Sequence, residues 1–488
     1  MKLPVLFRDR RAARQTALFA LAVFFCAHAF CFFNLTYSGP SVSLNAASSA
    51  NQQIEGGLFL QPVYFSLRGG VASPLFTGLI AALCLAAALP MIAELLGIGS
   101  AALRLALCAA LCCHPSLTAL FAAQLHVADA VCLSLPLVCA GMLCWRAHRL
   151  GFLPGAALLA AAMALDVHAA SFAMGLALLA LLASLADGMT LRCAVLRLLH
   201  LAAMTLLATA LYSIGLAVML RIADLEACIE LYAQGLAQTW LYPLSTLFAP
   251  LTYYAALNPV LRALLLLAGG WAALRLPKAG LCRRLLILAA CVLLLPLAVN
   301  LPVVSASPAD QLRPAYALID TAVLMLVSRM SCRCAVPMRR TAAALIAILG
   351  VSGVIFSNQV YLKKNLEFES TLSFMTRVVD RAEDTPGYQP GLTPVAIVGT
   401  PEESIVAARL EGFDHLTALH AASNTRAVTS SDDMVGYLWE IMGYPVNLIS
   451  DYDRSLLEEQ DAVRAMPAYP AEGCCAFVGD VLVIRLSP

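Results

Sequence analysis

Eleven apolar stretches, each close to the length that crosses a bilayer, limit what this chain can fold into. They run at about 14–33, 73–96, 100–120, 128–145, 151–166, 169–186, 197–219, 259–275, 284–302, 314–330 and 341–358. Roughly 20 apolar residues in a helix cover the ~30 Å hydrocarbon core. A backbone without water must bond to itself there, so helices are the expected solution. The chain is thus expected to be a polytopic α-helical membrane protein with about eleven spans. Composition agrees: 61% of its 488 residues are hydrophobic and 12% are charged, against about one-quarter charged in soluble domains. The first stretch is long and lacks a small-residue cleavage site followed by polar chain, so it reads as an anchored helix.

Short cytoplasmic loops collect Lys and Arg, which gives an orientation. The basic segments are "MKLPVLFRDRRAAR" at the start, "WRAHR" at 145–149, "RLPKAGLCRR" at 275–284 and "SRMSCRCAVPMRR" at 328–340. All four fall on one side if eleven helices alternate. The opposite loops hold few basic residues beyond Arg68, Arg221 and Arg313. The N-terminus is expected in the cytoplasm and the C-terminus outside. The net charge of +1 comes from scattered loop residues, and nothing in it suggests a nucleic-acid partner.

After residue 360 the pattern turns soluble, and 19 of the 30 acidic residues lie beyond that point. Residues 365–383 carry apolar side chains at helical spacing, "PVAIVG" reads as a buried strand, and "AFVGDVLVIRL" reads as two strands about a Gly-Asp turn. Two domains are expected: residues 1–360 in the membrane and 361–488 as a small extracytoplasmic α/β domain. No P-loop, dinucleotide-binding glycine pattern or solenoid repeat is present.

With that topology, "IEGGLFLQPVYFSLRGG" at 54–70 lies along the outer surface, where it is expected to form two short interfacial helices broken near Pro62. Glu55 and Arg68 are its only ionisable side chains. A guanidinium there can grip phosphate oxygens in bidentate fashion, and a carboxylate can take a proton from an acceptor hydroxyl. An interfacial arginine also snorkels to headgroups, and a loop acid is often just solvated, so a plain connector remains an open reading. His126 and Asp129 are three apart at the outer mouth of the fourth stretch, and Asp166 and His168 sit at the outer end of the fifth. Ionisable groups at span ends are functional candidates. The seventeen cysteines lie mostly in apolar runs, where a free thiol acts as a small hydrophobe. Neither Cys332/Cys334 nor Cys474/Cys475 has a second pair at zinc spacing, so no metal site is indicated.

"GLFLQPVYFSLRG", "HPSLTALFAAQLHVADAV", "GFLPGAALLAAAMALDVH", "NQVYLKKNLEFESTLSFMTRVVDRAEDTPGY", "MGYPVNLISDYD" and the terminal "AMPAYPAEGCCAFVGDVLVIRLS" occur in an order that resembles bacterial glucosyltransferases of the type II serotype-converting kind. The resemblance covers nearly the whole chain, and the family is similar to the GT-C superfamily of membrane glycosyltransferases. It implies a multi-pass protein of the bacterial cell membrane that moves a hexose, glucose by the resemblance, from a polyprenyl-phosphate donor to a cell-surface glycan. A donor synthase and a flippase would be its partners, and no cofactor is implied. The implied catalytic carboxylates are Glu55 and Asp129, and the implied substrate-binding residues are Gln61, Arg68, His126, Asp166 and Arg313. Departures fall at the chemistry. Gly39 and Pro40 stand where the family carries an acid, Leu58 where it carries an arginine, and Val127 lies within what is elsewhere an acidic pair. Either Glu55 and Asp129 do the acid work, or the chain binds lipid or glycan as a non-catalytic accessory. A secondary transporter has less support, because the two halves show no paired broken helices.

Overall fold

Apolar segments that cannot solvate their backbones coil into helices, and those helices dominate the computed structural model. It describes residues 9–34, 37, 50–147, 149–225, 247, 257–300, 314–331, 334–401, 416, 428 and 430–487. In chain order the helices are α1 (Arg10–Phe33), α2 (Ala50–Glu55), α3 (Leu60–Arg68), α4 (Pro74–Leu96), α5 (Ala101–Cys112), α6 (Pro115–Ala123), α7 (Ala128–Ala147), α8 (Phe152–Leu165), α9 (Ala169–Ala186) and α10 (Leu191–Ala223). They continue with α11 (Leu257–Leu274), α12 (Leu281–Ala289), α13 (Leu295–Asn300), α14 (Leu318–Ser328) and α15 (Ala335–Glu383). Among the described residues nine helical segments are long and apolar enough to cross a membrane, and Phe152–Leu165 and Pro314–Ser328 are shorter apolar ones. The chain is a polytopic helical membrane protein. Outward faces carry exposed Leu206, Ile222 and Leu267, the surface that suits lipid rather than water.

Two breaks interrupt otherwise straight paths. α5 and α6 together cover 101–123, but the helix stops at Cys113 and restarts after His114, because Pro115 cannot donate to the preceding turn. A π-turn at Ala290–Leu294 links α12 to α13. Close packing rests on small residues, as expected where apolar lipid gives no hydrophobic drive between helices. A Cβ placed on Gly141 of α7 would come 3.1 Å from the Gly155 carbonyl of α8. One placed on Gly353 of α15 would come 2.3 Å from the Cys113 carbonyl at the α5–α6 break. The core between α1, α6 and α15 is aromatic: the His28 and Phe121 rings are 4.8 Å apart, and Phe32 and Phe121 are 5.1 Å apart. His28 Nε2 lies 2.7 Å from the Cys112 carbonyl, to which it donates. Its Nδ1 must then accept from the Tyr361 hydroxyl, also at 2.7 Å.

The helix ends sort onto two sides. Asp9, Glu94, Gly97, Arg104, Arg146, Lys278, Arg329 and Arg339 border one cavity at the basic end of the bundle. Their charges serve the fold there. Arg329 Nη1 donates to the Leu96 carbonyl at 2.7 Å and Arg146 Nη1 to Leu95 at 2.6 Å, both at the C-terminus of α4. Arg339 Nη2 donates to Ser328 at 2.9 Å and to Met330 at 2.8 Å, at the C-terminus of α14. Cations at helix C-termini meet orphan carbonyls and the negative pole of the dipole.

At the opposite end α15 continues without a break into the α/β region, so the helix expected at 365–383 and the last span are one 49-residue helix, about 70 Å long. Beyond it β1 (Pro394–Val398), β2 (Asn447–Leu448), β3 (Cys475–Val478) and β4 (Val481–Arg485) form one sheet in the order β2-β1-β4-β3. β1 is parallel to β2 and β4, while β3 and β4 form the hairpin expected at Gly479-Asp480. The region docks on the far part of α15 through Phe374 against Tyr469, 5.1 Å between rings, and through the Tyr437 hydroxyl to the Phe368 carbonyl at 3.2 Å.

Candidate functional site

The 54–70 stretch does form two short helices, but the break lies at Gly56–Gly57 and not near Pro62. Gly57 adopts φ +84°, a left-handed conformation natural to glycine, and its carbonyl accepts from the Tyr212 hydroxyl of α10 at 2.9 Å. Pro62 is the third residue of α3, within the first turn, where the missing N–H has no intrahelical partner to lose. Ile54 and Phe59 pack with Ala164 and Leu216, which fixes the pair of helices against α8 and α10.

α3 aims one polar stripe at α7. Tyr64 and Arg68, one turn apart, share a face. Arg68 Nη1 lies 2.6 Å from each carboxylate oxygen of Asp129, and the Tyr64 hydroxyl donates to Asp129 Oδ2 at 2.8 Å. Arg68 Nη2 donates to the His126 carbonyl at 3.1 Å, and the guanidinium stacks 4.3 Å from the Phe65 ring centre. Both charged side chains are essentially sealed from solvent. Arg68 was expected to face a lipid phosphate, and here its partner is Asp129. Asp129 was expected as a second catalytic acid, and here it accepts from Arg68, Tyr64 and the Ala130 N–H. Burial first, then the nearby Asp129 charge, pushes the Tyr64 phenol well above its ordinary pKa, so it stays a donor. Burial lowers the His126 pKa to about 4, with the positive charges of Arg68 and Lys364 adding to the effect. His126 therefore lies beside the pair as a neutral ring.

The other candidates are dispersed around this pair. Gln61 is buried, and its Nε2 donates to the Leu165 carbonyl at the end of α8 at 2.7 Å. Its Oε1 has no partner among the described residues. Asp166 follows directly and accepts from the His168 N–H at 2.9 Å, acting as a turn-former between α8 and α9. Glu55 ends α2 half-buried, and no ion pair joins it to another described residue. Leu58 donates its N–H to the Gln53 carbonyl at 2.7 Å, and Val127 packs with Phe65 and Ala130, so both flank this region. Arg313 and Pro40 lie outside the described residues.

A second polar group was missed. Arg262 of α11 pairs with Asp320 of α14, both buried, and its Nε donates to the Leu247 carbonyl at 3.1 Å. The pair borders a crevice of about 40 Å³ with His114 at the α5–α6 break. Single charges inside apolar runs, "NPVLRALLLL" and "YALIDTAVLML", were the available signal. Lys364 of α15, also missed, donates to the Ala122 carbonyl at the end of α6 at 2.7 Å, and Lys363 pairs with Glu367 at 2.9 Å. Among the described residues no group of three or more His, Cys, Asp or Glu side chains could hold a metal. No family model, curated protein or solved structure matches this chain.

Proposed function

We propose that the protein is a membrane glycosyltransferase, which moves a hexose from a polyprenyl-phosphate donor to a cell-surface glycan at the end of the bundle that carries the α/β region. The observation that carries this reading is the convergence of Tyr64 and Arg68 of the short helix α3 with Asp129 of α7, beside Gln61, at that end. A lipid-linked donor needs an apolar flank for its tail and a fixed cation near its phosphate. A carboxylate held against a guanidinium fixes the plane of its fork, so in this reading Asp129 positions Arg68 and Glu55 is the base. A base of this kind takes the proton of the acceptor hydroxyl as its oxygen attacks the anomeric carbon and the carrier phosphate leaves. In the same proposal the chain has eleven spans in the bacterial cell membrane, a cytoplasmic N-terminus, and an external C-terminal domain that contacts the acceptor. A synthase and a flippase supply the donor.

One observation favours a second reading. The Arg68 Nη1 and Asp129 carboxylate bond to each other and are sealed from solvent, with only Arg68 Nε lacking a partner among the described residues, which suits a non-catalytic member that binds lipid or glycan beside another transferase. Deletion of the gene separates the proposal from unrelated functions: a side-branch hexose should disappear from purified envelope glycan. Unchanged glycan composition counts against both readings. The two are then told apart by the purified protein alone, because only the enzyme transfers sugar from a synthetic donor.

A further inference from the structure

A cavity of about 750 Å³ opens at the basic end of the bundle, remote from the 54–70 stretch. Its volume is that of a small-molecule site. Five cationic side chains border it, Arg104, Arg146, Lys278, Arg329 and Arg339, against three acidic ones. Two of those acids are already engaged: Asp9 caps α1, and Asp187 pairs with Arg329 at 3.1 Å. The excess of charge is positive, and helix carbonyls hold three of the guanidiniums in place, as described above. Such a wall is pre-ordered and loses little side-chain entropy when an anion arrives.

Arg104 is the innermost of these groups, 8% exposed. Its Nη1 donates to the Gly99 carbonyl at 2.6 Å and its Nη2 to Gln15 Oε1 at 3.2 Å, but its Nε finds no partner among the described residues. A buried donor left unpaired is costly unless something binds it. The loop before α5 is glycine-based, and Gly97, Ile98 and Gly99 border the cavity beside Arg104. Gly97 has φ +66°, and a Cβ there would lie 3.0 Å from Arg329 Nη2. Guanidiniums beside a bare backbone loop make a set that suits a tetrahedral oxyanion.

We propose that this cavity binds a phosphate group, carried by a phospholipid headgroup or by a free phosphorylated compound, with Arg104 innermost and Lys278 at the rim. The inference does not depend on the transferase reading. Full-length purified protein, delipidated in neutral detergent, is offered phosphatidylglycerol or the phosphate-free diacylglycerol and examined by native mass spectrometry. In a second arm it is titrated calorimetrically with inorganic phosphate and with glycerol 3-phosphate. Preferential retention of the anionic lipid identifies a headgroup site, and heat from the soluble phosphates identifies a free ligand. Three variants test the location. Ser331→Glu places a negative charge at the exposed cavity margin without removing a contact, Lys278→Gln removes an exposed charge, and Arg104→Gln removes the inner one. Binding is expected to fall at least tenfold in Arg104→Gln and severalfold in each of the other two, with unchanged elution as monodisperse protein. Should Arg104→Gln misfold, Ser331→Glu and Lys278→Gln decide alone. Equal retention of both lipids with no heat from either phosphate overturns the proposal, as does wild-type binding in Ser331→Glu and Lys278→Gln.

Discussion

Asp129 and Arg68 are worth more to each other than either is alone. Breaking a buried pair strands a charge and costs about 3–5 kcal/mol, whereas replacing both partners with apolar groups is often close to neutral. Arg68→Met and Asp129→Leu should each lower the unfolding temperature sharply in detergent, and the double variant should recover most of the loss. If each single variant melts like the wild type, the pair does not exist in solution. His126 gives a pH signature. Its pKa falls from 6.5 to about 4 on folding, so between those values the unfolded chain binds more protons than the folded one. Its contribution to stability is therefore fully present above pH 6.5 and is lost as pH drops toward 4. Between pH 7 and pH 4 the wild type should lose stability relative to His126→Gln in melting curves, and parallel curves would exclude the effect. Sequence showed Arg68 and Asp129 as candidates but not as partners. They are 61 residues apart, and a pairing of that kind is fixed only when α3 docks on α7.

Among the elements, the helices were legible because apolar length needs no partner to be read. Their interruptions were not. Pro62 looked like a break, yet a proline in the first turn sacrifices no hydrogen bond, and the turn fell instead on the Gly56–Gly57 pair. The change of composition near residue 360 looked like a domain boundary, yet no Gly or Pro lies between residues 354 and 383. Nothing stops α15 there, and it passes from the bundle to the sheet as one rod. It approaches another backbone closely at Gly353. Gly353→Val would drive a branched side chain into the Cys113 carbonyl and should cost about 1–3 kcal/mol, as overpacking does. Thermal unfolding of that variant in detergent reads the loss, and an unchanged midpoint would show that α15 and the α5–α6 break are not in close contact.

For the whole molecule, the separation of charge between two ends supports a fixed orientation in the membrane. Basic residues gather around one cavity and hold helix C-termini, while the α/β region sits at the other end. Single cysteines placed near residues 280 and 425, with native cysteines replaced, should react with an impermeant reagent in intact cells only at the second site. Label at 280 and not at 425 would reverse the topology. The site itself was less legible than the fold. Gln61, Arg68, His126, Asp129 and Asp166 do lie around the same end, but the intramembrane pair Arg262–Asp320 emerged only from packing. In the proposed reaction this end transfers sugar with Glu55 as base. Hexose transfer from a synthetic polyprenyl-phosphate hexose by the full-length protein in liposomes, with Glu55→Gln beside the wild type, tests it. Transfer by the wild type is expected, with a loss of about a hundredfold in turnover in the variant and donor retention unchanged, as for loss of a general base. Donor binding without transfer by the wild type, or equal turnover by the two proteins, would contradict it.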